Sequence, residues 1–428
     1  MDINYIHSLF LQCNSISIDT RRIEQNSLFV AIKGEHYNAN TFAKEALEKG
    51  ASYVLIDDAS CFIDQRTILV QNSLVALQRL ANFHREYLKI PIIALTGSNG
   101  KTTTKELIQV VLSKKFKTKA TVGNLNNHIG VPLTLLSFDA ETEIGIVEMG
   151  ANHKKEIDFL CELAQPDYGY ITNFGKAHLE GFGGIDGVIE GKSEMYNYLM
   201  KQDKLAFVNL DDTIQLEKTK SLEAYTFGVN KLNADVNITA VKANPFVEIG
   251  YNALIIKSHL IGLYNANNIS AALVIGKYFG VSDNAIKEAL ESYIPENNRS
   301  QLVSKGTTQI ILDAYNANPS SMAVAIENFL QLDNPNKILI LGDMFELGQE
   351  SQEEHKSIIA MLEKEENLKC YFVGSAFYAN RFDKINFWFY ESFEAFSSDV
   401  SADDFVNTTI LIKGSRGMAL ERTLDLIQ

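Results

Sequence analysis

A chain of 428 residues is too long for one hydrophobic core, and with 46% apolar residues it is too apolar to be disordered, so two or three domains are expected. Its formal charge of −14 argues against a nucleic-acid binder, which would carry a basic surface. An anionic small substrate remains compatible, because a pocket can be locally positive within an acidic protein.

The opening stretch, residues 1–22, lacks a basic segment followed by a sustained apolar run, so no signal peptide is read. Residues 1 to about 85 mix short strands (28–32, 53–56 and 68–70) with helices around 41–49 and 74–87. Lys89-Ile90-Pro91 then punctuates the entry to an apolar strand, Ile92-Ile93-Ala94-Leu95. From there to about 298, strand-like runs at 144–148, 168–172 and 205–209 alternate with helical ones, which argues for a parallel sheet wrapped by helices. Residues 293–298, with Pro295 and two asparagines, read as a linker. Beyond it, runs at 310–312, 337–341, 371–373 and 409–413 suggest another parallel sheet, with helices near 320–331, 351–365 and 419–427. No apolar run is long enough to span a bilayer, and no stable membrane insertion is expected. Cys13, Cys61, Cys161 and Cys370 are scattered without C-x-x-C spacing, which fits a reducing cytoplasm better than a disulfide scaffold or structural zinc.

The most informative segment is Gly97-Ser98-Asn99-Gly100-Lys101-Thr102-Thr103. It follows the 92–95 strand and precedes helical apolar spacing at Glu106, Leu107, Ile108, Val110, Val111 and Leu112. Strand, glycine turn, Lys-Thr and helix make a phosphate cradle: Gly97 and Gly100 let the backbone curl toward an anion, and the helix N-terminus aims free N–H groups at it. Lys101 can reach terminal phosphates and the Thr102 hydroxyl can hold magnesium. The G-x-x-G-K-T spacing is shorter than the usual Walker A pattern, and a plain helix N-terminus behind a flexible loop is the competing reading.

Further polar residues cluster at predicted strand ends. Glu148 closes the 144–148 strand, where a carboxylate should face bound phosphates and serve as a magnesium ligand. His178 lies in a glycine-rich segment after the 168–172 strand, with Glu190-Gly191-Lys192-Ser193-Glu194 opening a helix soon after. A lone histidine there is ordinarily structural, and a lysine such as Lys192 is ordinarily a surface cation. Asn124, Asn126, Asn127 and His128, framed by Gly123 and Gly130, suit a loop that hydrogen-bonds a polar substrate, although an asparagine-rich turn looks similar.

In this order, the phosphate loop, Glu148-Met149-Gly150, the segment Thr172-Asn173 through His178-Leu179, and Lys192 resemble the ATP-dependent Mur ligases. Gly262-Leu263-Tyr264-Asn265 with Asn268, Arg299, and near the start Asp19-Thr20-Arg21 extend the resemblance over almost the whole chain. The run Asp313-Ala314-Tyr315-Asn316-Ala317-Asn318-Pro319 and the segment 341–348 point to the MurF branch.

The resemblance implies an α/β protein of three domains: an N-terminal UDP-sugar-binding domain at 1–85, a central ATP-binding domain at 86–298 and a Rossmann-like C-terminal domain at 299–428. It implies a monomeric, ATP-dependent ligase that joins D-alanyl-D-alanine to UDP-N-acetylmuramoyl-tripeptide through an acyl phosphate, in the cytoplasm. It further implies two magnesium ions held by Thr102, Glu148, His178 and Lys192, with Lys192 carbamylated. Asn265 and Asn268 would lie on the adenine side, and Arg299 and Asp313 would meet ATP. Asp19, Thr20, Arg21, Asn126, Asn127, His128, Asn316 and Asn318 would contact substrates, as would Lys413 and Arg416 of Lys413-Gly414-Ser415-Arg416-Gly417. Asn38-Ala39-Asn40 departs from the Asp-Gly-His-like stretch of many Mur ligases, which bears on uridine-side binding. A related amide ligase, such as another Mur ligase or a folylpolyglutamate synthetase, and a non-catalytic ATP-binding scaffold are the alternatives.

Overall fold

The computed structural model describes residues 2–295 and 298–427, so Glu296 and Asn297 of the expected linker lie outside the described residues. Three sheets follow one another along the chain. The first is parallel and takes its strands in sequence order: Ser15–Ser17, Ser27–Val30, Ala51–Ile56 and Thr67–Leu69. The helix Ser73–Leu88 closes this part and extends past residue 85. Asn72 starts it by accepting from Val75 N–H, and Lys89 ends it in the left-handed region at φ +53°. Its buried stripe of Leu77, Leu80, Ala81 and His84 follows helical spacing and packs on the central helices Gly130–Leu136 and Glu156–Ala164.

The central sheet has nine strands. Ile92–Thr96 lies between Ile144–Glu148 and Tyr168–Ile171, all parallel and fully or almost fully buried. Ile92 and Ala94 enter the core on one face, Ile93 and Leu95 the core on the other. The register pairs Leu95 with Glu148 and Thr96 with Ile171. Three strands therefore end level, and the loops that follow them share one edge of the sheet.

The parallel central sheet expected from the sequence carries an antiparallel addition at its far edge. Val236–Ala243, Phe246–Tyr251 and Leu254–Ile261 form an antiparallel meander. Their connections, Asn244-Pro245 and Asn252-Ala253, are only two residues long, and a parallel crossover needs a dozen or more. The Glu190–Glu194 segment also differs from expectation: it lies inside the helix Ile185–Lys201 rather than at its start.

The third sheet runs in the order Gln301–Lys305, Thr308–Asp313, Thr409–Lys413, Lys337–Gly342, Lys369–Val373 and Phe387–Tyr390. Only the first pair is antiparallel, a hairpin turning at Gly306-Thr307. The register sets Asp313 beside Lys413. In place of one helix at 419–427, two 3-10 segments, Arg416–Met418 and Leu420–Leu426, are separated by Ala419 at φ +49°, which interrupts any continuous helix. No described helix is long and apolar enough to cross a membrane.

Candidate active site

A cavity of about 810 Å³ opens where the level strand ends of the central sheet meet the C-terminal domain. The phosphate loop forms its floor. Gly97 adopts φ +144°, and a Cβ there would lie 2.0 Å from Thr172 Oγ1. Gly100 adopts φ +79°, and its Cβ would lie 2.6 Å from Asn268 Oδ1. Both positions therefore require glycine, for conformation and for space. Helix Lys101–Leu112 starts with no side-chain cap, leaving its first N–H groups facing the cavity floor. Lys101 Nζ donates to Gly97 O at 2.7 Å and Ser98 O at 3.3 Å. Burial pushes the Lys101 ammonium below the ordinary lysine range; nearby Glu148 opposes that and Arg299 reinforces it.

Glu148 is almost wholly buried, and its carboxylate accepts from Thr102 Oγ1 at 2.9 Å and from Asn126 Nδ2 at 2.8 Å. Behind the loop, Thr104 Oγ1 donates to Asn268 Oδ1 at 3.0 Å, and Asn268 Nδ2 donates to Asn265 Oδ1 at 2.8 Å. These two asparagines are buried and brace the loop from the start of helix Asn265–Tyr278. Asn127 Oδ1 accepts from Ile129 N–H and Gly130 N–H, while His128 presents its carbonyl to Gln78.

From the C-terminal domain, Lys413 Nζ donates to Asp313 Oδ2 at 2.6 Å. The Arg299 guanidinium stacks 3.8 Å from the Tyr315 ring centroid, and its Nε is buried without a hydrogen-bond partner. Such an orphaned donor suits an anionic ligand in the cavity.

Ser98, Asn99, Gly100, Lys101, Thr102, Thr103, Asn126, Asn127, His128, Glu148, His178, Asn265, Asn268, Arg299, Asp313, Asn316, Asn318 and Lys413 all border this cavity. Asp19, Thr20 and Arg21 do not. They lie between the first two strands of the N-terminal sheet, where Asp19 caps the turn Thr20–Arg22 and its carboxylate pairs with Arg21. Arg416 is likewise outside, paired with Glu421 at 2.8 Å.

The expected four-membered metal set does not converge. Thr102 and Glu148 meet, but His178 Nδ1 is hydrogen-bonded to Glu346, and Lys192 Nζ donates to Ala151 O at 3.1 Å from beneath the cavity wall. Among the described residues, no group of three or more His, Cys, Asp or Glu could hold a metal. Lys192 is nearly fully buried, and burial first, then Lys101, drives it well below the ordinary lysine range against the opposing charges of Glu156 and Glu194.

Several lining residues escaped sequence reasoning. Tyr315, inside a quoted motif, supplies the ring under Arg299. Phe159, Leu160 and Val324 add an apolar wall, yet in sequence they are indistinguishable from core-facing helix positions. Glu346 meets His178, and nothing in its spacing signalled a contact 168 residues away.

Residues 95–276 match the Mur ligase middle domain and residues 298–416 the Mur ligase glutamate ligase domain. The UDP-N-acetylmuramoyl-tripeptide--D-alanyl-D-alanine ligase of Bacillus subtilis is 34% identical, the match covering 97% of this chain and 93% of that protein. The ligase of the same name from Escherichia coli is 30% identical over 97% of this chain and 94% of its own length. Among solved structures, MurF from Acinetobacter baumannii superposes with a TM-score of 0.86 at 29% identity, covering 99% of this chain and 98% of that one. MurF ligase from Thermotoga maritima in complex with ADP superposes with a TM-score of 0.83 at 26% identity, covering 97% of each. With full-length identity of this order and both family domains in place, the chain belongs to the Mur ligase family, in its MurF branch.

Proposed function

We propose that this protein uses ATP to join D-alanyl-D-alanine to UDP-N-acetylmuramoyl-tripeptide, the last cytoplasmic peptide-adding step in making the peptidoglycan precursor. The observation that carries this reading is the single cavity in which the phosphate loop, Glu148, Arg299 and the Asp313–Lys413 pair face one another across two domains.

A carboxylate does not react with an amine at neutral pH, because its oxygen is a poor leaving group. In the proposed reaction, an oxygen of the tripeptide's terminal carboxylate attacks the γ-phosphorus of ATP and the bond to ADP breaks. The neutral amine of D-alanyl-D-alanine then attacks the acyl carbon, loses a proton, and expels inorganic phosphate from a tetrahedral intermediate. Phosphoryl transfer of this kind needs positioning and charge neutralisation more than covalent help. Lys101 and the uncapped N–H groups of helix Lys101–Leu112 supply positive charge at the phosphates. Arg299 brings a rigid cation whose Nε lacks a protein partner. Lys413, held by Asp313, adds positive charge on the C-terminal side.

Thr102 and Glu148 fit one magnesium ion, since two hard oxygens 2.9 Å apart leave room for phosphate and water ligands. Bound magnesium would neutralise phosphate charge there. His178 and Lys192 belong to a second magnesium site only in another arrangement of the same loops, with Lys192 as its carbamate. The N-terminal sheet, with Asp19, Thr20 and Arg21, is assigned to the UDP-sugar, and Asn126, Asn127, His128 and Asn316 to the peptide substrates.

The test is phosphate release by the purified protein with ATP, magnesium and UDP-N-acetylmuramoyl-tripeptide, with and without D-alanyl-D-alanine, followed by mass spectrometry. Dipeptide-dependent release with a pentapeptide product is expected. Phosphate release indifferent to the dipeptide, with no pentapeptide, would overturn the assignment.

A further inference from the structure

We infer that Asn318 is a positioning residue that ties the C-terminal domain to the phosphate loop, so that nucleotide binding and docking of that domain favour each other. This rests on reading the cavity as an ATP site. Asn318 occupies the N-cap of helix Pro319–Leu330, where its Oδ1 accepts from Ser321 N–H at 2.9 Å. Because an N–H can only donate, the carboxamide oxygen is committed to the helix and the nitrogen must point away. That nitrogen donates to Asn99 Oδ1 at 2.7 Å, across the domain boundary.

The choice of residue is informative. Serine and aspartate cap a helix as well as asparagine does. Of the common caps, only asparagine accepts from its own helix and donates elsewhere through the same planar group. Pro319 at the first helical position fixes the approach of the chain.

On the other side, the backbone of Asn99 is already committed within the central domain. Its N–H donates to Asn173 Oδ1 at 3.0 Å, and its carbonyl accepts from Thr172 Oγ1 at 2.6 Å and Asn173 Nδ2 at 3.0 Å. The Asn99 side chain is thus the part of the loop aimed at the other domain. The seam continues next door, where Lys176 N–H donates to Ser320 Oγ at 2.7 Å, and within the central domain Ser98 Oγ ties the phosphate loop to Gly175 O at 2.8 Å. A ligand that orders the loop lowers the cost of docking the domain, and by linkage docking raises affinity for that ligand by the same factor.

The experiment measures ADP affinity by calorimetry with magnesium present, and the melting temperature, on the full-length chain. Asn318→Ser and Asn318→Thr keep a capping hydroxyl but are too short to reach Asn99. Each should weaken ADP binding about two- to tenfold, the range of one net hydrogen bond, with the melting temperature little changed. Asn99→Ala should do likewise, and Asn99→Ala combined with Asn318→Ser should bind no more weakly than the weaker single variant. Unchanged ADP affinity in both Asn318 variants, or fully additive losses in the double variant, would overturn the coupling. Wild-type protein that fails to bind ADP would overturn the nucleotide site and the coupling together. Wild-type protein that binds ADP but makes no pentapeptide would overturn only the ligase reading, while the ADP comparison still decides the role of Asn318.

Discussion

His178, in the loop after strand Tyr168–Ile171, shares a hydrogen bond through Nδ1 with the carboxylate of Glu346 from the C-terminal domain. Both residues sit in the left-handed backbone region, at φ +53° and +62°, where non-glycine residues are uncommon and are held by their surroundings. Glu180 N–H also reaches Glu346 O at 3.4 Å, so two loops from different domains meet at this corner of the cavity. The imidazole that serves Glu346 here is the one assigned to magnesium in the proposed reaction.

Replacing Glu346 by alanine should therefore affect catalysis more than stability. Glu346 is about half exposed, so the pair contributes at most about 1 kcal/mol to folding. Turnover should fall about tenfold as the loops lose their alignment, and Glu346→Gln, which keeps an acceptor, should fall less. Steady-state kinetics beside a denaturant melt would separate the two effects. A loss confined to stability would refute a role in alignment.

Lys101→Ala should abolish ligation while the protein stays folded. Removing a preorganised electrostatic contact at a reacting phosphoryl group typically costs about 10²-fold or more in rate. Because burial already disfavours the ammonium, deleting it costs the fold little beyond its hydrogen bonds to the Gly97 and Ser98 carbonyls. Circular dichroism and product formation measured on one preparation would check this, and near-normal turnover would disprove the assigned role.

How much of this site is legible in the sequence depends on whether a residue's role is local. Gly97, Gly100, Lys101 and Thr102 announce themselves because turn, helix start and chemistry lie within six residues, and Glu148 does so because it ends an apolar strand. The ion pair of Asp313 and Lys413 is a matter of register between strands 100 residues apart, which no spacing reveals. Arg416 has the composition of a phosphate contact, while its partner in the structure is Glu421 five residues later. The antiparallel meander over 236–261 escaped notice because its turns, Asn244-Pro245 and Asn252-Ala253, lack the glycine that usually marks a hairpin. The burial of Lys192 was illegible for a physical reason: lysine is a surface residue by default, and only tertiary packing against Phe182 and Ala151 removes it from water.

That burial gives Lys192 the chemistry its proposed modification requires. Carbon dioxide reacts with a neutral amine: the lysine nitrogen forms a bond to carbon, a proton leaves, and a carboxylate-like group results. An ordinary lysine is almost wholly protonated at neutral pH, whereas Lys192 is driven toward the neutral form by its surroundings. Lys192→Ala should lose about 10²-fold or more in rate, the scale of one lost electrostatic contact. Short carboxylates added to that variant should restore part of it. Depleting bicarbonate should slow the wild type and leave the variant unaffected. A fully active alanine variant would eliminate the carbamate.

A separate prediction concerns the N-terminal helix Ile3–Phe10, which docks through a buried pair of histidines. His84 Nε2 lies 2.9 Å from Phe138 O, an acceptor only, so it must carry a proton and donate. In neutral His84 the other nitrogen, Nδ1, then accepts from His7 Nε2 at 3.0 Å. Burial lowers the His7 pKa from 6.5 to about 4, with His84 adding to the shift, and burial lowers that of His84 as well. The sign follows from which state takes the proton first. Between pH 6.5 and 4 the unfolded chain binds it and the folded chain resists, so stability is complete above about pH 6.5 and declines as pH falls. For His7 alone the loss should reach about 3 kcal/mol by pH 4. Carboxylates with depressed pKa values, such as Asp19 at about 2, contribute their own losses mainly below this window. Urea melts at pH 7.5 and 4.5 should show the decline. In His7→Gln, whose amide can still donate to His84 but does not titrate, the dependence should be shallower by the His7 share. Equal pH dependence in both proteins would show that the helix docks without regard to the charge on His7.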